Sequence, residues 1–179
     1  MRNYFLETER VAFSLWTQDD YHLALLLWGD ESVTKYISKT GVFTEQEILD
    51  RLNTELENEK QFKVQYWPFF EKATGDFIGC CGLRPYDVEK YIYEIGFHLR
   101  SKYWGKGFAS EAARAIIQYS SDKLKLSELF AGHNPNNTDS KRILEKLGFQ
   151  YIKDEYYNPT GLYHPSYKYI LHTNYVRCL

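Results

Sequence analysis

Two glycines stand at the start of a predicted helix, where the backbone can hold a phosphate group. Residues 104–109 read WGKGFA and follow a strand-like run that ends near Arg100. Gly105 and Gly107 allow positive φ and a close approach of a ligand to the backbone. The first N–H groups of a helix lack an intrahelical acceptor and attract anions. The spacing indicates an anion site, although two glycines also suit an ordinary strand-to-helix turn.

Three kinds of phosphate-binding segment can be compared with these residues. A P-loop requires GxxxxGK(S/T), but here Lys106 is followed by Gly107. A Rossmann dinucleotide fingerprint requires GxGxxG, whereas Ser110 occupies the third glycine position and no βαβ unit begins the chain. The third alternative is a coenzyme A site.

The same six residues resemble the acetyl-CoA signature of the GNAT N-acetyltransferases, (Q/R)xxGx(G/A), in register at Gly107 and Ala109. Trp104 stands where the general pattern has Gln or Arg. Within the GNAT superfamily, the form WGKG(Y/F)A resembles the ribosomal-protein alanine N-acetyltransferase branch, or Rim-type branch. The Trp at position 104 therefore narrows the resemblance from the GNAT superfamily to its Rim-type branch.

Other stretches resemble the Rim-type branch in the expected order. Residues 6–10 resemble its LxTxRL opening strand, with Val11 in place of Leu. Residues 72–79 resemble its central hairpin, and residues 93–97 resemble the strand before the signature. Residues 137–149 resemble its NxxSxRxLEKLGF helix. The resemblance spans about residues 6–171.

Hydrophobic periodicity predicts a mixed α/β (α+β) chain in the order β-α-α-β-β-β-α-β-α-β-β, with a further short helix ending near Ile37. The resemblance implies the GNAT acyl-CoA N-acyltransferase fold, a central mixed, mostly antiparallel sheet of six to seven strands flanked by helices. A length of 179 residues fits one domain over residues 1–179. The predicted strands are residues 11–15, 62–70, 77–83, 91–99, 129–133, 149–156 and 167–171, and the main helices start near Thr17, Thr44, Phe108 and Asn137.

The resemblance also implies a set of coenzyme contacts. Pantetheine pairs with the backbone of Phe97, His98 and Leu99, and Gly96 tolerates the bulge that the family carries in this strand. The pyrophosphate takes N–H groups from the loop and helix start. The coenzyme-binding residues of this segment are Trp104, Gly105, Lys106, Gly107, Phe108, Ala109 and Ser110.

Two residues of the helix at 137–149 receive roles from the same resemblance. Asn137 bonds the pantetheine arm, and Ser140 lies near the coenzyme sulfur, where it protonates the leaving thiolate. Both positions also fit simpler roles, Asn137 as a helix N-cap and Ser140 as a first-turn residue.

Direct transfer of an acetyl group requires a neutral amine. An α-amine, with a pKa of about 8, needs only a modest base. Glu94 is the first candidate because it shares a strand face with His98, just before the coenzyme-binding edge. Glu94 also fits an ordinary surface acid, and His98 is the alternative base.

The acceptor pocket that the resemblance implies is rich in aromatic residues. The candidates are Trp28, Tyr66, Trp67, Tyr156 and Tyr163. The acceptor is left open between a protein N-terminal α-amine and a small-molecule amine. A non-catalytic acyl-CoA-binding sensor is the alternative to an enzyme, since an intact coenzyme loop would have the same sequence.

Composition excludes several other classes. A net charge of −2 without a Lys/Arg block argues against nucleic acid as a partner. The three cysteines have neither disulfide nor zinc spacing, which predicts a cytoplasmic protein without a metal. No signal peptide is evident, and the longest apolar run, residues 23–28, cannot cross a membrane. A homodimer is expected from family habit and from an aromatic content of 17%.

Overall fold

The computed structural model describes residues 2–171, and an eight-stranded mixed sheet forms its centre. The strand order is β1-β2-β3-β4-β5-β6-β8-β7; β5 and β6 run parallel, and the other described neighbours are antiparallel. The strands are β1 (Leu6–Glu7), β2 (Val11–Phe13), β3 (Tyr66–Glu71), β4 (Phe77–Asp87), β5 (Ile92–Leu99), β6 (Glu128–Gly132), β7 (Gln150–Tyr157) and β8 (Leu162–Ile170).

Helices cover both faces of this sheet, with a hydrophobic core on each side. On one face Leu27, Ile48 and Leu52 share a core with residues of β3 and β4. On the other face Ala113 and Ile116 share a second core with other residues of the same two strands. The helices are α1 (Tyr21–Trp28), α2 (Glu31–Thr34) and α3 (Glu45–Phe62) on the first face, and α4 (Phe108–Asp122) and α5 (Thr138–Leu147) on the second. None of these helices is long and apolar enough to cross a membrane.

The predicted fold class is confirmed, and the strand count is one higher than expected. The additional strand is β1, whose two residues pair with β2. Helix α3 runs to Phe62 and ends at Lys63, whose φ of 59° is left-handed, so β3 begins at Tyr66 and not at residue 62. Pro68, which cannot donate a backbone hydrogen bond, lies in an inner strand next to a bulge between Phe69 and Phe70.

Helix α3 begins near Thr44 as predicted, and residues 44–47, TEQE, form a capping box there. Thr44 Oγ1 accepts a hydrogen bond from the Glu47 N–H at 3.2 Å, and Glu47 Oε2 accepts one from the Thr44 N–H at 2.7 Å. These bonds satisfy two backbone donors that the helix itself cannot pair.

Replacing Thr44 by Ala should therefore lower the free energy of unfolding by about 1 kcal/mol. Urea denaturation measures this change. Thr54→Ala is the matched control, because the exposed Thr54 hydroxyl donates only to the Asp50 carbonyl within the helix. Equal losses in both variants would show that the capping box contributes nothing.

The sheet opens in the middle of β5. Residues Tyr93 and Glu94 pair with β6, but the remainder of β5, through Leu99, pairs with β4 alone. The register with β4 is continuous across Gly96, so the opening comes from the divergence of β5 and β6 and not from a bulge at this glycine. Gly96 is required for a different reason: a Cβ there would lie 2.3 Å from the Tyr66 hydroxyl oxygen.

Candidate active site

A cavity of about 740 Å³ occupies the opening between β5 and β6. The second half of β5 forms one wall, and the first turns of α4 and α5 form another. Residues from α3, β4 and the β7–β8 hairpin close the far end. The sheet divergence therefore brings together segments that are distant in the sequence.

One end of the cavity is suited to an anion. Gly107 is the N-cap of α4 with φ of 82°, and Gly105 has φ of 71°, values that favour glycine. The first N–H groups of α4 have no intrahelical acceptor. The cavity-lining residues of this segment are Trp104, Gly105, Gly107, Phe108, Ala109 and Ser110. Lys106 does not line the cavity.

The loop is held in place by a residue from the start of the chain. Arg10 donates from Nη1 to the Lys106 carbonyl at 3.1 Å and from Nε to Glu111 at 2.6 Å. Its guanidinium also lies 4.5 Å from the centre of the Phe108 ring. Arg10 belongs to the opening-strand motif, but its contacts with the loop could not be predicted from the sequence. These contacts link the opening strand to the first turn of α4.

Trp104, which stands where the general signature has Gln or Arg, connects the loop to the end of β5. Its indole Nε1 donates to the Leu99 carbonyl at 2.7 Å. The side chain thereby fastens the loop to the end of β5.

The open edge of β5 presents unpaired backbone groups. The Arg100 N–H donates to the Ile78 carbonyl on β4 at 3.0 Å. Because backbone groups alternate in direction along an antiparallel strand, those of Phe97 and Leu99 point away from β4, toward the opening. The Leu99 carbonyl accepts the Trp104 indole N–H, so the groups without a partner among residues 2–171 are the N–H and carbonyl of Phe97 and the N–H of Leu99. The backbone of His98 points toward β4, so His98 does not contribute backbone groups to this edge as expected.

Glu94 lies at the apex of the opening. It is half-buried, lines the cavity and pairs through its backbone with Phe130 of β6. Its carboxylate forms no hydrogen bond or ion pair with any residue between 2 and 171. Burial raises the pKa of this carboxyl, and the positive charges of Arg84 and Arg51 oppose the shift in part. An unpaired carboxylate with a raised pKa is suited to accept a proton.

His98 shares the strand face of Glu94 but is less suited to that role. Trp28 Nε1 donates to His98 Nδ1 at 3.3 Å. An indole N–H only donates, so Nδ1 is the acceptor and the ring proton lies on Nε2. Burial, then the charges of Arg51 and Arg84, lower the pKa of His98 well below its usual value. Its basic nitrogen is therefore already occupied.

The start of α5 places Asn137 and Ser140 against the cavity. Asn137 Oδ1 accepts a hydrogen bond from the Ser140 N–H at 3.0 Å, so Asn137 is the N-cap of α5. Its amide nitrogen has no hydrogen-bond partner among residues 2–171 and can donate to a ligand. The Ser140 hydroxyl has no hydrogen-bond partner in the described part of the chain.

The aromatic acceptor candidates separate into two groups. Tyr66 and Tyr156 line the cavity. Trp67 does not, because successive residues of a strand face opposite sides of the sheet. It packs instead against Phe5 and Tyr119, in the core beneath α4.

Trp28 and Tyr163 also lie off the cavity. Trp28 is fully buried, and its contact with the site runs through His98 and through Arg51, whose guanidinium lies 5.0 Å from the indole centre. Tyr163 is 65% exposed and packs on the outer side of Tyr156. Of the five acceptor candidates, Trp28, Trp67 and Tyr163 therefore do not line the cavity.

Charged residues at the far end were missed by the sequence reasoning. Arg51 and Arg84 both line the cavity, and Arg84 forms an ion pair with Glu55, which is fully buried. A signal for them existed: Arg51 and Glu55 lie three residues from Ile48 and Leu52 respectively, on the buried face of α3. No group of three or more His, Cys, Asp or Glu side chains in residues 2–171 could hold a metal ion.

Comparisons with known proteins show the family of the chain. The family model described as "Acetyltransferase (GNAT) domain" matches residues 10–150. The uncharacterized N-acetyltransferase p20 of Bacillus licheniformis is 32% identical over 145 residues, which are 81% of this chain and 82% of that protein. A GNAT-family acetyltransferase structure from Bacillus anthracis has a TM-score of 0.77 at 26% identity, covering 92% of this chain and 97% of that one.

A Rim-type protein has the same fold. The structure of RimL, the ribosomal L7/L12 alpha-N-protein acetyltransferase in complex with coenzyme A, has a TM-score of 0.79 at 12% identity. The structural match covers 94% of this chain and 98% of the RimL chain. This chain belongs to the GNAT family of acetyltransferases. It is an acetyl-CoA-dependent acyltransferase, and acetyl-CoA is its acetyl donor.

Proposed function

We propose that this protein transfers an acetyl group from acetyl-CoA to a primary amine, with Glu94 as the general base. The observation that carries the proposal is the position of an unpaired carboxylate. Glu94 lies in the same cavity as the open edge of β5 and the N-terminus of α4. A base, a backbone edge and an anion site in one cavity supply what acetyl transfer to an amine requires.

The coenzyme would lie along the second half of β5. The N–H groups at the start of α4 would hold its pyrophosphate, each such contact contributing about 0.3–1 kcal/mol, or up to about 2 where partly buried. The N–H and carbonyl of Phe97 and the N–H of Leu99 would hold the pantetheine, and Asn137 would add its amide nitrogen. When bound, acetyl-CoA supplies a thioester whose acetyl carbon accepts the amine.

Glu94 would take one proton from the ammonium form of the acceptor. At pH 7 roughly a tenth of an α-amine with a pKa of about 8 is already neutral. A lysine amine, with a pKa of about 10.4, would require about 4.6 kcal/mol for deprotonation. A single carboxylate is therefore better matched to an α-amine than to a lysine side chain.

Ser140 would help the second proton reach the coenzyme sulfur as the carbon–sulfur bond breaks. Its free hydroxyl at the start of α5 supports this role. Ser140→Ala should lower kcat about 10- to 100-fold, at the low end of proton-transfer effects because water can substitute in part. Steady-state assays of thiol release measure this loss. A change of less than twofold would remove Ser140 from the mechanism.

Several narrower features are also part of the proposal. Rim-type relatives, including the [ribosomal protein uS5]-alanine N-acetyltransferase of Escherichia coli, 28% identical over 110 residues, favour an α-amine as the acceptor. The free, buried Cys80 and Cys81 suit a reducing cytoplasm, which cell fractionation can test. Light scattering tests the homodimer, and a monomer would reject it.

A calorimetric titration with acetyl-CoA tests the coenzyme site, with NAD and ATP as controls. We expect micromolar binding of acetyl-CoA and no binding of the two nucleotides. Failure to bind acetyl-CoA would overturn the proposed site. Binding without transfer to any amine would favour the sensor over the enzyme.

A further inference from the structure

Two arginines at the far end of the cavity have donors that the protein leaves unpaired. Arg51 of α3 and Arg84 of β4 both line this end. Among residues 2–171, the Nε of each guanidinium is buried without a hydrogen-bond partner. Leaving a buried donor unpaired is unfavourable. The Nε atoms are enclosed by the protein, but Arg51 as a whole is only half-buried and lines the cavity. Its terminal N–H groups, which form no hydrogen bond among residues 2–171, can therefore bind a ligand group that accepts hydrogen bonds.

The charges of the two arginines are compensated differently. Arg84 forms an ion pair with the buried Glu55, whose other oxygen accepts a hydrogen bond from the Tyr66 N–H at 2.8 Å. Arg51 forms no hydrogen bond or ion pair with the described residues, and it contacts the face of Trp28. Burial, followed by the like charge of Arg84, lowers the pKa of Arg51, yet a guanidinium remains protonated. Arg51 is therefore a cation without a paired anion.

Glu94 is the corresponding unpaired anion at this end of the cavity. Arg51 is close enough to Glu94 to oppose the rise in the pKa of that carboxyl. The other nearby carboxylate, Glu155, is already bound by Lys153 Nζ at 2.8 Å and by the Tyr86 hydroxyl at 3.0 Å. Among residues 2–171, Glu94 and Arg51 are thus the carboxylate and the guanidinium at this end of the cavity that carry no partner.

The wall beside these charges is aromatic. Tyr86 and Phe130 stack with ring centres 3.9 Å apart and an interplanar angle of 10°. Both line the cavity, together with Tyr66 and Tyr157. Such a wall excludes water from the two charged groups and strengthens their interaction with a ligand.

We propose that the acceptor is a small primary amine that also carries a carboxylate, as an α-amino acid does. Arg51 binds the carboxylate through two parallel N–H groups. Glu94 receives a proton from the ammonium group, the nitrogen forms its bond to the acetyl carbon, and the thiol of coenzyme A leaves with the second proton. This assignment rests on the proposed acetyl transfer and adds the chemical class of its acceptor.

Matched acceptor series test the assignment. The probes are phenylalanine, leucine and glutamate, each compared with its α-amide and with the amine that lacks the α-carboxylate. We expect kcat/KM for at least one free acid to exceed that of its two analogues at least tenfold. The comparison with the α-amide is the more severe one. The amine of an α-amide has a lower pKa than the amine of the free acid, so without carboxylate recognition the α-amide would be the better acceptor.

Variants of Arg51 assign any preference to this residue. Arg51→Gln should lower kcat/KM for the preferred free acid at least tenfold more than for its two analogues, with the Kd for acetyl-CoA unchanged. The ratio is the diagnostic quantity, because loss of the Arg51 charge also raises the pKa of Glu94 and affects all acceptors. Arg51→Lys, which keeps the charge but not the planar fork, should retain part of the preference. Arg114→Gln, a change of the same charge at an exposed position of α4, should have no effect.

The outcomes separate the two levels of the proposal. Equal or better turnover of amines without a carboxylate, including a peptide N-terminus, would overturn the acceptor class and leave acetyl transfer intact. A free-acid preference that survives in Arg51→Gln would overturn the role of Arg51. Acetyl-CoA binding with no turnover of any free acid would also reject the acceptor class. Loss of acetyl-CoA binding by the wild-type protein would reject the proposed function itself.

Discussion

Glu94→Gln should lower kcat/KM about 10²- to 10⁴-fold, the usual contribution of a positioned general base. Gln has nearly the shape of Glu but cannot take a proton from the acceptor amine. Because Glu94 has no described hydrogen-bond partner, the substitution should leave folding and the Kd for acetyl-CoA unchanged. Steady-state kinetics and calorimetry on the same preparation separate these effects.

The pH dependence adds a second test of the same residue. Glu94 acts as a base only when it is ionised, and burial raises the pKa of its carboxyl. In the wild-type protein, kcat/KM should therefore fall as the pH drops through that raised pKa, and the Gln variant should lose this limb. Glu57→Gln, an exposed change on α3, is the control and should behave as wild type. An unaltered pH profile in Glu94→Gln would show that another group takes the proton.

Gly107→Trp should weaken acetyl-CoA binding at least about 100-fold, which corresponds to about 2.7 kcal/mol. Gly107 is the N-cap of α4, and the indole would occupy the space in front of the helix N–H groups. Several charge–helix contacts of about 0.3–1 kcal/mol each would be lost together. Calorimetric titration measures the change in Kd.

A second glycine provides the control for backbone strain. Gly75, in the β3–β4 turn, has φ of 75°, and a Cβ there would meet nothing within 4 Å. A Cβ at Gly107 would meet only Arg10 Nη2, at 3.5 Å. Gly75→Trp should therefore lower Tm about as much as Gly107→Trp, since both force a side chain into left-handed backbone. Equal acetyl-CoA binding by the two variants would contradict the pyrophosphate placement.

Sequence periodicity was sufficient for the parts of the fold that depend on local chemistry. Three such features each depend on a few consecutive residues: the capping box at Thr44, the start of α4 at Phe108 and the left-handed Gly148 that ends α5. The end of α3 was misplaced because Phe62 fits both a helical and an alternating pattern, and the left-handed Lys63 carries no sequence signal as strong as a glycine.

The site was predictable where a motif lies on one segment. The loop around Gly107 and the first turn of α5 are of this kind. The far end of the cavity was not predictable, because α3, β4 and β5 contribute to it from distant parts of the chain. Trp67 is an example. The aromatic character of a strand residue does not show which face of the sheet its side chain occupies until the strand register is known.

The most direct test of acetyl transfer at this cavity uses isotope-labelled acetyl-CoA and a panel of amines. The panel contains α-amino acids, polyamines, peptides with free N-termini and aminoglycosides, and mass spectrometry detects the products. We predict an N-acetylated product that carries the label, formed by the wild-type protein and reduced at least about 100-fold in Glu94→Gln. Tight binding of acetyl-CoA with no labelled product from any amine would contradict the account and favour a coenzyme sensor.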